Sequence, residues 1–384
     1  MNSTVANYFS EFESYQKMVD WLSGIAGFDT ATLVMVVVIS LMAFIVINAM
    51  MLVGGLGTYA ERKISADLQA RIGPNRVGPY GILQFLADGL KMTMKEDVTP
   101  AKADKVLFNL APFLSLFGIF GTLAVLPISS GLALSHLNVG VFFLIAISSI
   151  VGIGIFLGGY ASNSKWSMLG GMRGASQIVS YEIPVTLSVL SIVLLAGSLN
   201  FKVIVGGQTG MPTGWFIFHN PFSFMAFFVY SIAALAEANR APFDLPEAES
   251  ELVSGYHTEY TGMKFGIFAL AEYIEVFVLA SVAAAMFLGG YNVPFHLGGD
   301  GIIGQVLQLG AFVTKSLLIY YVVIWIRWTF PRLRADQLMV VCWKYLTPIA
   351  IFNLVGSAVW LYAFKGQSIL QLVLHSGGSS AGGH

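Results

Sequence analysis

The chain has 384 residues, of which 56% are hydrophobic and 11% charged, with a mean hydropathy of +0.74 and a formal net charge of −1. Soluble domains carry roughly 25% charged residues, so water is excluded as the main solvent, and a neutral balance without basic tails argues against nucleic-acid binding. Cys342 is the sole cysteine, which excludes an internal disulfide framework and an iron–sulfur cluster ligated by this chain, since a cluster takes about four thiolates.

In chain order, residues 1–31 hold Glu11, Glu13, Asp20 and Asp29 against Lys17 alone. Lacking a basic n-region and a small-residue cleavage site, they are expected to be a mature extension rather than a signal peptide. A bilayer core of about 30 Å asks for roughly 20 apolar residues per helix, because in lipid the backbone must satisfy its own hydrogen bonds. Eight segments meet this demand: 33–53, 106–128, 139–158, 183–199, 222–238, 265–288, 306–326 and 346–364. The fourth and fifth are short. The expectation is an all-α polytopic membrane protein with one transmembrane domain over residues 32–365, followed by a flexible Gly/Ser/His tail over 366–384. Sixteen of the 20 Lys and Arg residues fall in connections one, three, five and seven, against Lys17, Lys202 and Lys365 opposite and Lys315 inside the seventh segment. By the positive-inside rule those four connections face the cytoplasm, with both termini on the other side.

The first connection reads ERKISADLQARIGPNRVGPYGILQFLADGLKMTMKE over 61–96. Gly-Pro pairs fix turns around Arg76, and Ile82, Phe85, Leu86 and Leu90 recur at helical spacing, which predicts an amphipathic interfacial helix. Arg62, Arg71 and Arg76 suit lipid phosphate or, as a rigid basic turn, a docking surface. Asp88 reads as a surface partner of Lys91.

The third connection ends in GASQIVSYEIP, which places Glu182 just ahead of an apolar run with Pro184 suited to a first helical turn. There a carboxylate either stabilises a helix dipole or, with Ser176, Gln177, Ser180 and Tyr181, borders a hydrated cavity.

The fifth connection, AEANRAPFDLPEAESELVSGYHTEY over 236–260, sets Glu237, Asp244, Glu247, Glu249, Glu251 and Glu259 against Arg240. A solvated acidic loop is the plain alternative, yet Pro242, Pro246, Phe243, Leu245 and Leu252 tie the segment down. Crowded carboxylates raise one another's pKa by like charge and desolvation, which suits proton exchange near neutral pH. Cation binding competes, without calcium-loop spacing to support it, and His257 reads as an ordinary loop histidine. In the sixth segment Glu272 and Glu275 lie three residues apart on one helix face, at a depth where an ionised group costs on the order of 2.5–3.5 kcal/mol. Lys315 is expected to be their cationic partner or to snorkel toward the interface.

These segments, with RWTFPRLRADQLMVVCWK over 327–344, closely resemble the quinone-chamber membrane subunit (the H subunit, or subunit 1 in mitochondria) of the proton-translocating NADH:quinone oxidoreductase, respiratory complex I, over 33–364. The resemblance implies a subunit that forms much of the quinone tunnel and links it to the membrane arm through glutamates. Carried onto this sequence, the proton path comprises Glu182, Glu237, Asp244, Glu247, Glu249, Glu251, Glu259, Glu272 and Glu275, with Arg240 as a charge partner within it and Lys315 added from its depth in the seventh segment, and Arg62, Arg71, Arg76 and Phe85 serve the quinone entrance. It further implies a bacterial inner-membrane location, quinone as substrate, and NADH, FMN and iron–sulfur clusters on partner subunits. The implied partners are the peripheral-arm quinone-site and iron–sulfur subunits, antiporter-like membrane-arm subunits and lipid. Two alternatives stay open: the homologous subunit of a membrane-bound hydrogenase-type complex, and a stand-alone proton-coupled cation transporter, which inverted repeats would favour.

Overall fold

The computed structural model describes residues 30–131, 137–208, 211–247, 249–294 and 301–364, with backbone alone for 30–35, 38, 39, 249 and 250. The N-terminal extension up to residue 29 and the tail from 365 lie outside the described residues. The chain divides into two units, Met1–Leu52 and Val53–His384.

The regular elements among the described residues are all helices, without a strand. The elements are α1 Thr30–Leu68, α2 Gln84–Met94, α3 Lys105–Leu123, α4 Gly140–Ala161, α5 Lys165–Ala196, α6 Phe201–Gly206, α7 Pro221–Glu237, α8 Glu249–Leu252, α9 Gly262–Phe287, α10 Ile302–Thr329, α11 Ala335–Val340 and α12 Thr347–Ala363. A π-helical turn, Val341–Leu346, fuses α11 to α12. Seven helices among the described residues are long and apolar enough to cross a membrane, and α7, at 17 residues, is a shorter apolar helix. At 1.5 Å per residue α7 reaches about 25 Å. The eight segments expected from hydropathy are therefore present.

In the first unit, Leu41, Phe44 and Ile45 of α1 are exposed, as suits a helix that faces lipid. In the second unit α5 is the hub, packing against α4, α7 and α12, while α9 packs against α3 and α10. Close approach rests on small residues, as is usual where no water drives helices together. A Cβ on Gly154 of α4 would lie 2.8 Å from the Ser115 nitrogen of α3, and one on Gly159 would lie 2.5 Å from the Ser167 carbonyl of α5.

Three boundaries differ from the sequence expectation. First, α1 continues to Leu68 and absorbs Glu61, Arg62 and Lys63, because ERKISADL carries no breaker before Gly73-Pro74. Second, α5 starts at Lys165, so Glu182 lies mid-helix and Pro184 inside it rather than in a first turn. The helix-dipole reading of Glu182 therefore fails. Third, the last membrane helix begins at Ala335 through its π-turn, well before residue 346.

Proline inside a helix removes one N–H and orphans the carbonyl four residues earlier. Both such carbonyls are claimed by other elements. Ser180 O, freed by Pro184, accepts from Cys342 Sγ at 3.1 Å, and Phe108 O, freed by Pro112 of α3, accepts from the Tyr260 hydroxyl at 3.0 Å. The Tyr260 ring also stacks on Phe108 with centroids 4.0 Å apart.

Candidate functional site

The connection between α7 and α9 (loop five below) is held from beneath by α5. Gln177 Nε2, buried, donates to the carbonyls of Ala236 and Phe243 at 2.7 Å each. Leu333 N donates to Pro242 O at 3.0 Å, which ties the α10–α11 connection to the same segment. Phe243, Leu245, Leu252 and Tyr256 are buried, so the loop is packed backbone rather than a solvated polyanion. Where it crosses α5 the fit is tight: a Cβ on Gly170 would lie 2.7 Å from Tyr256 N. Gly255 has φ +60, while Val253 has φ +68, a conformation that is an outlier for a β-branched residue and a store of backbone strain.

This packing submerges ionisable side chains. Glu61, Glu237, Arg240, Glu272 and Glu275 are only 6, 4, 5, 8 and 7% exposed. Arg240 stands at the centre. Its Nη1 lies 3.9 Å from Glu61 Oε2, its Nη2 lies 3.8 Å from Glu272 Oε2, and its guanidinium lies 4.2 Å over the Tyr273 ring. Burial alone opposes its charge, but Glu272 and then Glu61 hold its pKa above the ordinary value. Glu61 also meets Arg327 Nη1 at 2.6 Å, and the Tyr256 hydroxyl donates to Glu272 Oε1 at 2.9 Å. Glu247 Oε1 is 3.7 Å from His257 Nδ1.

Within the loop, burial raises the pKa of Asp244 and Glu272 adds to the rise, against the counteracting Arg327, Arg332 and Arg240. Burial, then the charge of Glu272 and a hydrogen bond with it, push the Glu247 carboxyl well above its ordinary value of 4.5. A carboxyl raised by folding stabilises most below its unfolded pKa, and that contribution is lost as pH rises from there through the folded value. Glu247→Gln is therefore expected to flatten the alkaline decline in melting temperature of the assembled membrane protein, measured across pH about 5 to 9; an unchanged slope would assign the decline to other groups.

A second group lies deeper. Glu182 of α5 accepts from Ser149 Oγ of α4 at 2.5 Å. A cavity of about 20 Å³ is lined by Glu182, Glu237, Ser148, Thr122, Thr186 and Tyr230, among others, and Glu237 Oε2 is buried with no hydrogen-bond partner among the described residues. A much larger cavity, about 520 Å³, lies between α7, α9 and α10 and is almost wholly apolar; Phe227, Phe243, Leu279, Val322 and Phe330 are among its walls.

The structure thus brings together Arg240, Asp244, Glu247 and Glu272 in one neighbourhood and Glu182 with Glu237 in another, with Glu275 buried on α9 within electrostatic reach of Glu237 and Glu272. Other residues singled out in the sequence stand apart. Glu251 is exposed and pairs with Arg173 at 2.6 Å, a hydrogen bond that holds its carboxyl below the usual value. Glu259 is half-buried and forms no ion pair among the described residues. Glu249 belongs to α8, but its side chain lies outside the described residues. Lys315 does not partner Glu272 or Glu275: its Nζ donates to Gly290 O at 2.9 Å and Asn292 O at 3.0 Å, and it lies 5.0 Å over the Trp215 ring. The aliphatic stem lets the ammonium reach the backbone of the connection after α9, where it is buried rather than brought to water. Arg240 supplies the cation instead.

The amphipathic helix is present as α2, with Leu86 and Leu90 exposed and Phe85 seated on α1, where a Gly55 Cβ would lie 2.7 Å from its ring. Arg62 is not in the basic turn; it extends from α1 to Asp88 at 2.5 Å, so Asp88 pairs with Arg62 rather than Lys91. Arg71 bonds Gln69 at 2.7 Å and Arg76 is exposed. None of Arg62, Arg71, Arg76 and Phe85 lines the large apolar cavity.

Glu61, Tyr256, Tyr273, Arg327, Ser148 and Ser149 belong to the site and escape the sequence reading. A signal exists for Glu61. Gly54, Gly57 and Glu61 are spaced three and four apart, hence on one face of α1, and the two glycines abut Ile274 and Tyr320 of α9 and α10. Among the described residues no group of three or more His, Cys, Asp and Glu side chains is placed to hold a metal ion.

A helical bundle that buries an Arg–Glu cluster beneath a packed loop, with further glutamates at membrane depth, defines a polytopic membrane protein built around internal charge. Residues 39–358 match the family model described as NADH dehydrogenase. Similar curated proteins include the H subunit of NADH-quinone oxidoreductase from Bacteroides thetaiotaomicron, 50% identical over 77% of this chain and 83% of that protein, and its counterpart from Salinibacter ruber, 47% identical over 84% and 95%. NADH-quinone oxidoreductase subunit 8 of Rhodothermus marinus is 46% identical over 85% and 98%. The chain belongs to this family, that of the H subunit of NADH-quinone oxidoreductase.

Proposed function

We propose that this chain, as a membrane subunit of NADH-quinone oxidoreductase, forms part of the quinone chamber and relays charge from it into the membrane arm through buried glutamates. The observation that carries the reading is the cluster around Arg240. Charge in hydrocarbon is costly enough to be kept for use, and here Glu61, Glu272 and Arg240 are buried together next to Asp244 and Glu247. Quinone reduction at this end changes local charge. Asp244 and Glu247, poised by burial, answer it, and Glu272, Glu275, Glu237 and Glu182 carry the change inward. Arg62, Arg71, Arg76 and Phe85 support the entrance beside α2, where the isoprenoid tail enters from lipid. Glu249, Glu251 and Glu259 complete the acidic set of loop five, and Lys315 fixes the opposite end of the bundle.

The excess of Lys and Arg in the odd connections supports a cytoplasmic location for loop five, with both termini across a bacterial inner membrane. NADH, FMN and iron–sulfur clusters belong to peripheral-arm partners, and antiporter-like subunits adjoin in the membrane. Quinone is the substrate in contact with this chain.

Glu237→Gln removes the titrating proton and keeps the shape. The expected outcome is an assembled complex whose quinone-linked turnover and proton pumping fall roughly tenfold or more, measured in proteoliposomes. Undiminished pumping would remove Glu237 from the path. Purification tests the enclosing assembly: flavin and iron–sulfur subunits co-purify on this reading, whereas a monodisperse cofactor-free protein would make the chain a stand-alone transporter.

A further inference from the structure

The face of α4 that meets the deeper glutamates carries two consecutive hydroxyls, Ser148 and Ser149. Neighbours on an α-helix diverge by about 100°, so the pair can serve two different groups. Ser149 Oγ reaches Glu182 Oε1 at 2.5 Å, while Ser148 lines the small cavity and interacts with the Glu237 carboxyl. Both hydroxyls also have the same fallback acceptor: Ile145 O lies 3.0 Å from Ser148 Oγ and 3.1 Å from Ser149 Oγ. A serine hydroxyl has one hydrogen to give and two lone pairs to accept with. Ser149 can therefore donate to Glu182 when that carboxyl is ionised, or accept from it when it is protonated and turn its own hydrogen to Ile145 O. Ser148 has the same two options toward Glu237.

Two further observations favour a water beside these carboxyls. The cavity of about 20 Å³ has room for one, since a single water needs on the order of 10–15 Å³. Glu237 Oε2, on a side chain only 4% exposed, has no hydrogen-bond partner among the described residues. Because it is buried by this chain itself, another subunit cannot reach it.

We propose that Ser148 and Ser149 are positioning residues for a proton transfer between Glu237 and Glu182 through one water held in this cavity. In the step, the Glu237 carboxyl O–H bond breaks and its proton joins the water, which at the same time gives one of its own protons to a Glu182 oxygen. The water is regenerated, and one negative charge moves from Glu182 to Glu237. Ser149 then turns its hydrogen from Glu182 to Ile145 O as Ser148 turns from Ile145 O to Glu237, so each carboxyl is given a donor only while it is ionised.

This inference rests on the relay reading above, and the experiment separates the two. Ser148→Ala, Ser149→Ala, the double alanine variant, the two Ser→Thr and two Ser→Cys variants and Glu237→Gln are made in the intact complex and assayed in proteoliposomes for turnover, quinone KM and protons pumped per electron. Each alanine variant is expected to lower turnover and pumping roughly tenfold, the value of a lost hydrogen bond to a charged group, with quinone KM unchanged. The threonine variants, which restore the hydroxyl, should recover most of the rate; a serine acting only as packing would be rescued as well by Ser→Cys. Full pumping by the double alanine variant, with Glu237→Gln still inactive, would overturn the serine bridge and leave the relay standing. Full pumping by Glu237→Gln would remove Glu237 from the relay and overturn the serine bridge with it.

Discussion

Arg240→Gln is expected to strip membranes of assembled complex and of quinone reductase activity. The guanidinium is 5% exposed and is the cation shared by Glu61 and Glu272. Removing one member of a buried ionic group costs about 3–5 kcal/mol, because the partners are left charged and unpaired in a medium that cannot solvate them. Glu61 keeps Arg327 at 2.6 Å. Glu272 keeps the Tyr256 hydroxyl, Glu247 and the nearby His257. Arg240→Lys separates charge from shape. It retains the cation but loses the flat group that lies over Tyr273 and spans two carboxylates, so the complex assembles while turnover falls. Blue-native gels and turnover of the same membranes measure the two effects. Normal assembly of Arg240→Gln would show that the cluster is solvated in the complex.

Gly255→Ala is the second large effect, and its cause is backbone. With φ +60, residue 255 sits where an L side chain costs roughly 1–2 kcal/mol, and a Cβ there would fall 1.6 Å from Pro246 O. Since the obstacle is main chain, no rotamer can relieve it, and the loop must open between Pro246 and Tyr256. That withdraws the Tyr256 hydroxyl from Glu272 and admits water to the cluster. The expected result is loss of quinone-linked turnover with new protease sensitivity in residues 246–256, read by limited digestion of everted vesicles. A protected loop in this variant would mean that Gly255 adopts another conformation in the assembly.

How much of this is readable from sequence follows from what hydropathy measures. The eight spans, the amphipathic helix after the first and the improbable acids of loop five and α9 are all statements about single segments in lipid or at its edge, which composition and periodicity report directly. The first half of α5 escapes because Gly170, Gly171, Gly174 and Ser167 look like loop. They are small because α4 and loop five press against them, and burial in protein leaves no hydrophobic signature. Glu61 reads as part of a connection for a similar reason: its neighbours Arg62 and Lys63 end the apolar run, although the helix continues. Lys315 reads as a partner of the wrong groups since depth along a helix says nothing about which way a long side chain extends. The Arg240–Glu61–Arg327 grouping joins α1, loop five and α10, a coincidence in space that a one-dimensional reading cannot supply.

Pro112 of α3 and Pro184 of α5 have a mechanical consequence. Each marks the place where a membrane helix is easiest to bend, and at each the loose carbonyl is gripped from a distant part of the chain: by Tyr260 where loop five rejoins the bundle, and by Cys342 where the last span begins. A tug on loop five would thus be felt as a flexing of α3, and a shift of the final span as a flexing of α5, the helix that carries Glu182. Levers of this kind give a surface event purchase on the membrane interior without any rod-like element having to slide.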